Sequence, residues 1–112
     1  MDTKLPECWM CEPKTACLRV ILDAKHTLIL PYAHFRHADF EDKDDGEELK
    51  LVFTSHEVVL TGHLLKRLEI GIAAQEVGEV SALPERYHRI AGERPFIRQI
   101  AMLVVSAKSE TL

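Results

Sequence analysis

No stretch of this chain approaches the roughly 18 consecutive apolar residues that a bilayer-spanning helix requires, so a transmembrane helix within it is excluded. Positive charge is also scarce. Lys and Arg number 14 against 18 Asp and Glu, a net charge of −4, whereas gripping a phosphate backbone calls for the opposite balance on at least one face. The balance counts against nucleic acid and against an anionic membrane surface. Cysteine is limited to three residues, an odd number that cannot pair completely within one chain, so a disulfide scaffold is not expected and reduced thiols are. The opening Met1-Asp2-Thr3-Lys4-Leu5-Pro6-Glu7 lacks the basic-then-apolar layout of a secretory signal, and a cytoplasmic location is expected. Gly-rich phosphate loops, dinucleotide fingerprints, G-x-S-x-G and H-E-x-x-H are all missing. No reaction class is therefore indicated, and whether the chain is an enzyme stays open.

What remains is a chain of 112 residues, 46% hydrophobic and 29% charged, enough for one folded domain. Residues 1–16 carry Pro6 and Pro13 without periodicity and read as a flexible tail, leaving 17–112 as the domain. From Cys17 onward, Leu18, Val20 and Leu22 alternate with Arg19, Ile21 and Asp23, a strand whose hairpin partner is residues 27–30. Pro31 ends that partner, since it has no N–H for a ladder. Residues 38–40 resume a strand, and Asp45-Gly46 marks a tight turn. Leu49, Leu51 and Phe53 alternate through the next strand, and Val58 and Leu60 through another.

Thr61 can then cap a helix over about residues 62–76, with Leu64, Leu65, Leu68 and Ile72 on one face. Residues 79–82 offer a short strand, and residues 96–105 the last one. Both faces of that last strand turn apolar toward its end, as expected of a central strand or one buried between subunits. The fold expected is α+β, a mainly antiparallel sheet of about five to six strands with one principal helix packed on it. A small, partly open β-barrel with one helix is the competing architecture.

Four groups of residues carry potential chemistry. Cys8 and Cys11 have zinc-compatible spacing, and Cys17 with His26 would complete a Cys3His set, although no second compact pair follows. His34, His37, His56 and His63 add further imidazoles. Asp39, Glu41, Asp42, Asp44, Asp45, Glu47 and Glu48 form an acidic segment, but an EF-hand register places Lys43 and Val52 at ligand positions, so a solvated hairpin loop is expected. Arg86, Arg89, Arg94 and Arg98, with His88 and Tyr87 among them, form the basic counterpart. Their guanidinium forks suit a small anionic ligand, Tyr87 suits base stacking, and the whole segment suits docking onto an acidic patch of another subunit.

The function read from these features is a non-enzymatic interaction or small-ligand-binding module acting as a homo-oligomer, most simply a dimer. A zinc- or other metal-binding protein is the alternative, and a small nucleic-acid-binding domain the second alternative.

Overall fold

The computed structural model describes residues 7–105. Among these residues eight strands run in the order β1 (Trp9–Cys11), β2 (Cys17–Asp23), β3 (His26–Pro31), β4 (Phe35–Lys43), β5 (Gly46–Phe53), β6 (His56–His63), β7 (Val77–Ser81) and β8 (Phe96–Val104). Helix α1 (Lys66–Ala73) joins β6 to β7, and a short helix α2 (His88–Ala91) precedes β8. The strands form two four-stranded sheets, ordered β1-β7-β2-β3 and β4-β5-β6-β8. The fold is therefore mixed α+β, and neither sheet closes into a barrel. The single sheet of five to six strands is corrected to two sheets, because alternation reveals strands but not which strands pair. All pairs are antiparallel except β2 with β7.

Alternation places the core. Leu18 and Val20 of β2, Leu30 of β3 and Val80 of β7 are buried from the first sheet, and Leu49, Leu51, Phe53, Val58 and Leu60 from the second. Leu68 and Ile72 of α1 join them in one continuous cluster. Of the stretch read as a tail, residues 1–6 lie outside the described residues; within the remainder Cys8 is buried and β1 pairs with β7, the Ser81 N–H donating to the Cys8 carbonyl at 2.7 Å. A three-residue strand is too short to show a period, so its sequence carried no signal.

The helix begins later than Thr61. Thr61 stays in β6 opposite Gln99, and a bulge follows at Thr61/Gly62. A Cβ on Gly62 would collide with the Phe96 carbonyl oxygen, so only glycine lets β6 and β8 approach here. The chain then turns through Leu64 at φ 55. The Leu65 N–H is satisfied by the Glu47 carboxylate at 2.6 Å, a cap supplied from β5 rather than by a local residue. The far end closes as a Schellman motif. Gln75 takes the left-handed conformation at φ 57, its N–H donates to the Ile72 carbonyl, and the Glu76 N–H donates to Gly71.

Tyr32 ties the β3 end to β7. Its hydroxyl donates to the Val77 carbonyl at 2.7 Å, and burial pushes its pKa from 10.0 to about 12. The folded state thus holds the proton more tightly than the unfolded chain. The corresponding stability is complete below about pH 10 and lost as pH rises to about 12, a decline of about 2–3 kcal/mol. Tyr32→Phe is expected to cost about 1 kcal/mol at neutral pH and to abolish that part of the alkaline decline, as read from denaturant midpoints across the range. Gly62→Ala is expected to destabilise by about 3 kcal/mol or more, because backbone stands in the way. Gly78→Ala meets only the Glu12 side chain, which can move, and serves as the mild control.

Candidate functional site

Cys8, Cys11, Cys17 and His26 are not gathered at one point. Cys17 opens β2 opposite Pro31, whereas His26 sits opposite Asp23 at the other end of the hairpin. Six residue steps separate those ends, about 20 Å at ~3.3 Å per residue. Cys11 is exposed on β1, and Cys8 is buried, its sulfur accepting the Ile97 N–H at 3.3 Å. Burial pushes the Cys8 thiol pKa up, with the Ile97 and Leu83 backbone amides partly opposing it, so this sulfur is held as a neutral thiol. Among the described residues no three His, Cys, Asp or Glu side chains come close enough together to hold a metal ion.

The acidic segment proves to be the tip of the β4–β5 hairpin rather than a long loop. Asp42 faces Glu47 and Glu41 faces Glu48 across the ladder, with Lys43 paired to Glu48 at 2.6 Å. Arg98 lies over this tip: its guanidinium nitrogens would stand 3.4 Å from a Cβ at Gly46. The other basic residues are placed by α2 and the turns around it. Arg86 stacks over the Tyr87 ring at 4.9 Å, which occupies a face a base would need. His88 Nε2 donates to the Leu83 carbonyl at 2.8 Å and packs on Phe96. Among the described residues Arg86, Arg89, Arg94 and Arg98 make no ion pair.

A cleft of 210 Å³ lies between β4 and α1, lined by Phe35, Ala38, Phe40, Glu69, Ile72 and Ala73. Lys66 covers its Phe40 wall, 4.7 Å from the ring centre. Its volume falls below the roughly 300 Å³ at which drug-sized ligands are enclosed.

The sheet edges differ from one another, and one of them stands out physically. Exposed edges invite pairing with another chain unless they are short, charged or interrupted. β1 is three residues long, and β3 ends on Pro31. β4 carries Arg36, His37, Asp39, Glu41, Asp42 and Lys43. β8, the opposite edge of the same sheet, carries no charge after Arg98, and Leu103 and Val104 are 57% and 72% exposed. The Val105 N–H donates to the Ser55 carbonyl beyond the end of β6 at 2.9 Å. Alternation therefore turns the backbone groups of Ala101 and Leu103 toward β6, and those of Ile100, Met102 and Val104 toward the open side. At its start the edge is covered, since the Leu83 N–H donates to the Ile97 carbonyl at 2.7 Å. The open run is residues 99–105.

The last strand was singled out by its sequence, but the central position allowed for it is corrected. β8 has β6 on one side and no strand on the other among the described residues. No local signal marks β8 as an edge, because an apolar run without charge after Arg98 is equally what a central strand shows. Compared with protein-family models, curated proteins and solved structures, the chain matches none. Among the described residues no helix is long and apolar enough to cross a membrane.

Thiol labelling checks the cysteine geometry. A water-soluble thiol reagent is expected to modify exposed Cys11 first and buried Cys8 last, at the rate at which the structure opens. Equal rates at Cys8 and Cys11 would contradict the burial of Cys8.

Proposed function

We propose that this chain is a non-enzymatic interaction module whose working element is the open edge of β8, which accepts a β-strand from another polypeptide. The observation that carries the reading is the unguarded run 99–105, apolar apart from Gln99, on a strand of nine residues. In strand addition the main-chain hydrogen bonds supply affinity, and side chains beside the added strand supply selectivity. Ile100, Met102 and Val104 present the backbone groups, while exposed Leu103 and Val104 gain burial when a strand arrives. Among the described residues β1 is short and β4 is charged, while β3, which is uncharged and exposes Ile29, is only six residues long and ends on Pro31. The cleft beside α1 is small, and the arginines of residues 86–98 have one aromatic face already covered.

Amide hydrogen exchange tests the reading. In dilute chain the amides of Ile100, Met102 and Val104 are expected to exchange quickly, while those of Ala101 and Leu103 are protected by β6. Equal protection of all five in a monomeric chain would mean that the edge is already covered, and strand addition there would be contradicted.

A further inference from the structure

We infer that the strand added at this edge is β8 of a second copy of the chain, paired antiparallel about a two-fold axis at Met102. The inference rests on the strand-addition reading above and adds its occupant and register. A two-fold axis requires an edge complementary to itself, each residue i facing j while j faces i. Where the axis passes between copies of one residue whose backbone points outward, the two copies exchange both hydrogen bonds. Ile100, Met102 and Val104 qualify. Of these only Met102 sits at the midpoint of the open run 99–105. An axis at Ile100 would drive the second strand into Leu83, which already holds the Ile97 carbonyl.

The side chains fit this register. Ile100 of one copy faces Val104 of the other, Ala101 faces Leu103, and Met102 faces itself, so every facing pair from 100 to 104 is apolar. Arg98, the nearest charge on the strand, lies outside the paired run. The two copies of Arg98 fall at opposite ends, so no like charges meet. Exposed Leu103 is covered by the methyl of Ala101, and the N–H and C=O of each outward residue gain partners. The product is one continuous sheet of eight strands, β4-β5-β6-β8 followed by its mirror order, whose two outer edges are the charged β4 strands. Those edges resist further addition, so assembly stops at two chains.

The experiment combines native mass with disulfide trapping in a chain carrying Cys11→Ser and Cys17→Ser. The mass of the unmutated chain is expected to double from 12.7 kDa. Met102→Cys is expected to oxidise to a covalent dimer, because facing residues in a hydrogen-bonded pair have Cα atoms about 5.5 Å apart, within disulfide range. Gln99→Cys is expected not to, since its copies stand about 20 Å apart along the strand at ~3.3 Å per residue. Should Met102→Cys fail to fold, an equimolar mixture of Ala101→Cys and Leu103→Cys tests the same register at two exposed positions, and only the mixed disulfide is expected. A doubled mass without trapping at Met102 or at the Ala101–Leu103 pair would overturn the register. A single-chain mass at the highest soluble concentration would overturn the second copy as occupant. In that case fast exchange at Ile100, Met102 and Val104 keeps strand addition, with a different polypeptide, and protection there removes it.

Discussion

The backbone of Ile97 is the point on which the molecule turns. Its N–H donates to the buried sulfur of Cys8, and its carbonyl accepts from Leu83. Across the ladder it faces Gly62, where no side chain fits. Cys8 leads into β1 and Leu83 follows β7, so one residue of the second sheet holds two neighbouring strands of the first. Ile97 is itself fully buried, and these bonds are made away from water, where leaving any of them unmade costs about 1–3 kcal/mol. The same residue decides where β8 ceases to be covered. Up to Ile97 the strand belongs to the interior, and beyond Arg98 it runs out along the sheet edge with nothing beside it among the described residues.

The proposed function follows from that change of circumstance along one strand. A sheet of four strands has two edges, and here they are treated in opposite ways. β4 is dense with charge and exposes most of its length. β8 is bare of charge over its outer half and exposes apolar side chains instead. Charge on one edge keeps that edge solvated, and its absence on the other permits a strand to join. A symmetric pair of β8 strands would use the permissive edge and leave the guarded ones outside.

Much of this was legible in the chain itself, and what was not is non-local. The β2–β3 hairpin follows from the alternation of Leu18 and Val20 and from Pro31, and the β4–β5 turn from Asp45-Gly46. The helix face of Leu65, Leu68 and Ile72 was visible, but its start was not. Thr61 has the chemistry of a cap, yet the Gly62 bulge keeps it in β6, and the true cap comes from Glu47, 18 residues away. Cys8 and Cys11 have the spacing of a metal pair, but the short β1 sends Cys8 into the core and leaves Cys11 outside. Nothing local distinguishes a thiol that accepts a backbone amide from one that would ligate zinc. The apolar end of β8 was conspicuous, whereas its place at an edge depends on a strand order that no window of sequence contains.

Pairing of two chains through β8 brings the centres of the two strands into contact. Ala101 and Leu103 turn their backbone hydrogen-bonding groups inward, so their Hα atoms point to the open side and would face one another across a two-fold at Met102. In a sample mixing isotopically labelled and unlabelled chains, a filtered NMR experiment reads such contacts only when they cross from one copy to the other. An intermolecular contact between the Hα atoms of Ala101 and Leu103 is expected. Intermolecular contacts confined to other surfaces, or none in a concentrated sample, would contradict pairing through β8.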